Sequence, residues 1–219
     1  MHAARLLQPV IRRTGAYAAR ERLRTDGVAE TSLDFVLMML TRHGAEFEPR
    51  VFFEGSELMP RPDEPRATLF VGTHTMLATL AIRKAVDAGV MPVTISAVPM
   101  RVPGTRIDAR IVVPSQTLLV TIRDLFDRNQ PVVAALDRAD AEPRTRPVMT
   151  KRGRFLISTP VIELALRRNA RIVFLAGMLD EQWNVRLTFA APARSDTIDD
   201  ILEELASFID AYVHRDRTA

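Results

Sequence analysis

The chain has 219 residues, a formal net charge of +3 and an isoelectric point near 9.9. It contains no cysteine, which excludes disulfides and thiolate zinc sites, and its 47% apolar and 26% charged residues are typical of a globular protein with a real core. The modest positive charge suits acidic partners such as phosphates, anionic lipid or an acidic carrier protein, whereas the lack of interleaved basic and aromatic residues argues against nucleic acid.

Two helices are predicted before residue 50. Residues 3–24 carry six arginines and are interrupted by Pro9, and residues 33–43 form a second helix that ends at Gly44. We expect residues 1–44 to pack as a helical segment on a single domain that spans residues 1–219. The basic first helix either packs on the protein body or lies on a membrane surface or a carrier protein.

Neither a membrane-spanning apolar run nor a secretory signal pattern is found in the sequence. We therefore expect a cytoplasmic protein, placed peripherally at the inner face of the membrane if the basic helix binds lipid.

From residue 51 onward, strand and helix patterns alternate. Strands are predicted at 51–54, 67–73, 92–98, 110–113, 131–136, 155–158, 170–176 and 182–190, the last as an exposed edge strand. Helices are predicted at 75–88, 116–128, 160–168 and 196–214, and a loop at 138–153. This order predicts an α/β fold with a mostly parallel central sheet, covered by helices on both faces. The site of such a sheet lies beyond the carboxyl ends of its strands.

One histidine follows the carboxyl end of a predicted strand. His74 lies where the buried strand 67–73 gives way to a helix, with Gly72 before it to allow a tight turn or a close backbone approach. Thr73 or Thr75 can cap the helix. Because the positive end of a helix disfavours imidazolium, a neutral His74 could accept a proton as a general base. A turn residue bonded to nearby backbone is the alternative interpretation.

Gly72, Thr73 and His74 after a buried strand resemble the histidine motif of the lysophospholipid acyltransferase superfamily, and most closely its lipid A biosynthesis lauroyl and myristoyl acyltransferase branch. Three further segments agree with this family in order, namely residues 53–57, 132–137 and 159–173. The resemblance implies an acyltransferase-like fold. It also implies transfer of an acyl group from an acyl thioester to a hydroxyl or amine, with His74 as general base. The phosphopantetheine arm of an acyl carrier protein or of acyl-CoA would present the donor; no other cofactor and no metal is expected.

The family motif is a histidine, four residues and then an acid, and this chain has Thr79 at the position of the acid. Three interpretations stay open. Asp137 could reach His74 from a neighbouring strand end, His74 could act with only a hydroxyl partner, or the chain could have lost catalysis and kept acyl or carrier-protein binding on the same fold. Asp137 could equally be a salt-bridge partner of Arg138 or a helix cap. The missing membrane helix, which lipid A acyltransferases typically carry, argues against a lipid A acceptor.

Two groups of arginines follow predicted strands and could hold the phosphates of the donor. Residues 138–154 carry six basic and two acidic side chains, and a second group begins at Arg101. A guanidinium group binds phosphate through two parallel hydrogen bonds. For residues 138–154 a solvated loop is the alternative. The residues predicted to bind substrate are Thr73, Thr75, Arg101, Arg138, Arg152, Gly153 and Arg154; Arg152 to Arg154 match the glycine-containing motif of the family best.

Overall fold

The computed structural model describes residues 51–72, 79–97, 99–102, 105–137, 144–151, 153–179 and 185–213. The predicted helical segment 1–44 lies outside these residues, as does the beginning of the helix predicted from residue 75. The assignment of residues 1–219 to a single domain remains a prediction.

Nine strands and four α-helices are found in the described part of the chain. In order they are β1 (Val51–Glu54), β2 (Thr68–Gly72), α1 (Thr79–Asp87), β3 (Val93–Ile95), β4 (Arg110–Val112), α2 (Leu118–Phe126), β5 (Val132–Ala135), β6 (Thr145–Thr150), β7 (Gly153–Ser158), α3 (Pro160–Arg167), β8 (Arg171–Leu179), β9 (Val185–Ala190) and α4 (Ile198–Phe208). A short 3-10 turn follows β1 at Ser56–Leu58, and a π-helical turn follows α4 at Ile209–Val213.

Seven strands form one sheet in the order β1-β9-β8-β2-β5-β3-β4. The five strands from β8 to β4 are parallel to one another. β9 runs antiparallel to β8, and β1 pairs parallel with β9, so these two strands run against the other five. The prediction of a mostly parallel α/β sheet is confirmed.

The centre of the sheet is buried on both faces, which explains the continuous apolar run in β2. Leu69, Phe70 and Val71 are each no more than 3% exposed although their side chains alternate between the faces. On one face Leu69 and Val71 share a core with α2, α3 and α4. On the other face Phe70 packs with Ala81 and Ala85 of α1. Helices thus cover both faces, as predicted.

The prediction that residues 182–190 form an exposed edge strand is wrong. β9 pairs with β8 on one side and with β1 on the other, so it lies inside the sheet. Val185, Leu187 and Phe189 are buried accordingly. The alternating pattern was misleading because it shows only that one face of a strand is less buried than the other. This also occurs in a strand that lies next to the edge of a sheet. The edge position belongs to β1.

The prediction of a loop over residues 138–153 is also wrong for its second half. Thr145–Thr150 forms β6, which pairs antiparallel with β7 as a two-stranded hairpin separate from the main sheet. Pro147 lies within β6, where it is tolerated because each strand of such a hairpin has one side without a ladder partner. The predicted strand at 155–158 is confirmed as the larger part of β7.

The helix predicted near the end of the chain is present and has a complete amino-terminal cap. The side chain of Thr197 accepts a hydrogen bond from the N–H of Asp200, whose carboxylate in turn accepts one from the N–H of Thr197. This helix, α4, has eleven residues, the most of any described α-helix. No helix in the described ranges combines the length and the apolar character needed to cross a bilayer.

Candidate functional site

The candidate site is at the carboxyl edge of the five parallel strands. There β2 and β5 are neighbours, and Gly72, the last residue of β2, is in register with Ala135, the last residue of β5. The pairing continues one step further, because the N–H of Leu136 donates to the carbonyl oxygen of Gly72 with an N···O distance of 3.2 Å. His74 follows Gly72 by two residues, and Asp137 follows Ala135 by two residues.

Asp137 is buried, with 7% of its surface exposed, and it is the one ionisable residue classed as buried among those whose burial is described. Burying a carboxylate costs free energy unless hydrogen bonds or opposite charges compensate it. The main chain before Asp137 is held on two sides, since Leu136 donates to Gly72 and accepts from the N–H of Ser158 at 3.2 Å. The backbone leading to this carboxylate is therefore well anchored.

Gly72 is required by the close approach of the neighbouring strand β8. A Cβ atom at this position would stand 2.8 Å from the main-chain carbonyl oxygen of Leu175, its register partner. A main-chain oxygen inside a sheet cannot move aside as a flexible side chain could. Any larger residue would therefore push β2 and β8 apart directly before His74.

Thr79 is the first described residue of α1 and is partly buried. The helix directs Ala81, Ile82 and Ala85 into the core. Thr79 offers a hydroxyl where the resembling family has an acid, so this position cannot supply the charge of a carboxylate.

The predicted phosphate ligands that are described lie on separate elements. Arg101 lies between β3 and β4 and forms an ion pair with Asp108 at 3.6 Å, with both side chains mostly exposed. Arg154 is exposed on β7, and Gly153 is the first residue of that strand. The other predicted site residues fall outside the described residues; these are Thr73, His74, Thr75, Arg138 and Arg152.

The hairpin beside Asp137 was not foreseen from the sequence. Besides the bond from Ser158 to Leu136, its base is closed where the N–H of Thr159 donates to the carbonyl oxygen of Arg144 at 3.2 Å. The Thr159 hydroxyl also donates to the Glu163 carboxylate at 2.7 Å. The sequence signal at Thr159 and Pro160 is a proline at the first position of helix α3, and it indicates where β7 ends rather than that β6 pairs with β7.

A cavity of about 360 Å³ lies at the opposite edge of the sheet, near the beginning of β8. Arg66, Arg171 and Asp196 contribute to its mainly polar lining, which does not suit a fatty chain. Among the described residues, no three acidic or histidine side chains are grouped closely enough to hold a metal ion.

No family model matches the chain, and no curated protein matches it in sequence. Among solved structures, the chain is similar to the 1-acyl-sn-glycerophosphate (LPA) acyltransferase PlsC from Thermotoga maritima. The TM-score is 0.45 at 13% sequence identity, over 92% of this chain and 90% of that chain.

Proposed function

We propose that the chain is an acyltransferase that moves an acyl group from an acyl thioester to a hydroxyl or amine, with His74 as general base. The observation that carries the proposal is the register of β2 and β5. It pairs Gly72 with Ala135, and the candidate base and the buried Asp137 each follow this pair by two residues. A carboxylate beside an imidazole holds it in one orientation and stabilises its charged form.

In the proposed reaction the imidazole of His74 takes the proton of the acceptor O–H or N–H. The acceptor atom attacks the thioester carbonyl carbon, and the negative charge moves to the carbonyl oxygen. Main-chain N–H groups or a nearby arginine would stabilise this oxyanion. When the intermediate collapses the carbon–sulfur bond breaks, and the thiolate leaves with the proton that the imidazole carries. No covalent acyl-enzyme is needed.

The donor in this proposal is an acyl carrier protein or acyl-CoA. Arg138 immediately follows Asp137 in the chain, which makes it the favoured ligand for a phosphate of the pantetheine arm. Arg101 is a weaker candidate because Asp108 already balances part of its charge. Three points stay predictions from the sequence. They are the resemblance to the lipid A branch, the hydroxyl or amine acceptor, and membrane contact by residues 3–24.

A second candidate function is acyl or carrier-protein binding without catalysis. The observation that favours it is Thr79, a partly buried hydroxyl residue at the position of the motif acid. If Asp137 does not act on His74, the imidazole lacks a carboxylate partner, and the remaining binding surface would only hold an acyl thioester.

The test is mass spectrometry of the chain incubated with acyl-carrier-protein and acyl-CoA thioesters together with hydroxyl and amine acceptors. We expect the unaltered chain to consume a thioester and form an acylated acceptor, and His74→Ala to abolish this turnover. His43→Ala, at a histidine of the predicted helix 33–43 that follows no predicted strand, is the matched control and should keep this turnover. Equal consumption by the unaltered chain and His74→Ala would contradict catalysis by His74. Stoichiometric retention of the thioester without turnover would support the binding function.

A further inference from the structure

The two faces of the β6–β7 hairpin differ sharply. Val148 and Ile157 point inward and are 3% and 2% exposed. The outer face carries Pro147, Met149 and Leu156, with Met149 67% and Leu156 38% exposed. Pro147 is the register partner of Leu156, so these apolar side chains form one continuous group on the outer face. The outer face of the hairpin thus presents large apolar side chains to solvent.

All charged side chains of the hairpin are basic. Residues 144–158 contain five basic residues and no acidic one. Arg154 pairs in register with Met149 and is exposed beside it, and Lys151 is exposed at the turn. The acids near the hairpin belong to the segment behind it, where Asp199 binds Arg146 at 2.6 Å and Asp210 accepts from the main-chain N–H of Lys151 at 2.8 Å. The outer apolar group therefore has a basic border.

Another group of exposed apolar residues lacks this border. Val113, Leu119 and Val120 are 38–53% exposed around the beginning of α2. Residues 111–122 contain no charged side chain, and Arg123, which follows them on α2, is ion-paired with Asp124 at 2.8 Å. Because this group is similarly apolar but has no excess of basic charge beside it, it gives a control for apolar exposure alone.

We propose that the outer face of the β6–β7 hairpin binds the surface of an anionic lipid bilayer. Met149 and Leu156 enter the boundary between headgroups and acyl chains, while Arg154 and Lys151 pair with lipid phosphates. Projecting side chains suit a deformable lipid surface, whereas a protein partner would need a matching concave pocket. The hairpin base is bonded to Leu136, so this contact would bring the candidate site near lipid. The inference does not require the proposed acyl transfer.

Because the chain contains no cysteine, a single introduced cysteine can be labelled specifically. Met149→Cys in the full chain, labelled with an environment-sensitive fluorophore, reports whether this face enters lipid. We expect a blue shift and a severalfold rise in emission with phosphatidylcholine–phosphatidylglycerol vesicles. The response should be small with phosphatidylcholine alone and should weaken as salt rises. The same label on Val120→Cys should not respond.

Vesicle co-sedimentation of unlabelled variants gives a second measurement. Arg154→Glu should weaken binding to anionic vesicles by at least about fivefold, the effect of removing a single basic residue. The double variant Met149→Thr and Leu156→Thr should weaken it by about tenfold or more because it removes apolar groups from the lipid boundary. Unchanged circular dichroism would verify that the exposed substitutions leave the fold intact.

Three results would overturn the inference. The first is a label at position 149 that vesicles do not affect, and the second is an equal response at position 120. The third is vesicle binding that the hairpin variants leave unchanged, which would assign the contact to another part of the chain. If the label at position 149 responds to an acidic carrier protein but not to vesicles, this counts as the first result and overturns the inference.

Discussion

Gly72 lies so close to Leu175 that a methyl group on Gly72 would stand 2.8 Å from the carbonyl oxygen of Leu175. Gly72→Ala must therefore move one strand of the central sheet. We expect it to lower the free energy of unfolding by about 1–3 kcal/mol, the usual cost of overpacking. Urea denaturation measures this, and a free energy equal to that of the unaltered chain would show that the strands adjust without cost.

Asp137→Asn should leave the chain folded and reduce acyl transfer by about a hundredfold or more, because the amide keeps the shape of the carboxylate but loses its charge. Steady-state kinetics with the thioester identified by mass spectrometry would measure the loss. The matched control is Asp87→Asn, at an acid at the carboxyl end of α1 whose side chain is 53% exposed. A similar loss in both variants would show that the effect is not specific to the strand end.

Thr79→Asp restores the acid of the motif that this chain resembles. If Asp137 supports His74 incompletely, we expect the new carboxylate to raise the turnover rate up to about tenfold, whereas Thr79→Ala should leave it within about twofold. Initial rates at saturating thioester compare the two. A loss with Thr79→Ala as large as that of His74→Ala would instead identify the threonine hydroxyl as the partner of the histidine.

Val148 and Met149 are adjacent in the chain but face opposite sides of the hairpin. Val148→Ser should cost about 2 kcal/mol, since it removes buried apolar atoms and buries a hydroxyl. Met149→Ser should change stability by less than about 0.5 kcal/mol. Urea denaturation of both variants measures the contrast. If residues 148 and 149 lay in a loop, as predicted from the sequence, both substitutions would have small and similar effects on the free energy of unfolding.

The parallel strands could be predicted because burial on both faces leaves a continuous apolar run, as in Leu69 to Val71. The order of the strands in the sheet could not be predicted, because β2 pairs with strands that lie more than sixty residues later in the chain. The hairpin was missed because Pro147 and the basic residues hide an alternation that depends on only a few inward side chains. β9 was misplaced because the sequence does not say that β1 lies beside it.

The candidate site was predictable only in part. The rule that sites follow the carboxyl ends of parallel strands directed attention to Asp137. Its burial was not predictable, because an acid at a strand end has the same sequence pattern whether it is solvated or enclosed. Likewise Arg154 appears in sequence as one of several basic residues near a glycine, and only the register of β6 and β7 places it beside Met149.

The reversed direction of β1 determines at which edge of the sheet its amino end lies. Val51 is in register with Val185, which pairs with Leu179 at the far end of β8. Gly72 pairs with Leu175, so Val51 stands about 13 Å further along β8 than the end of β2, at the same edge. The amino end of β1 therefore lies at the same edge of the sheet as Asp137. A probe fused ahead of Val51 by a short linker would report on this edge rather than on the polar cavity opposite.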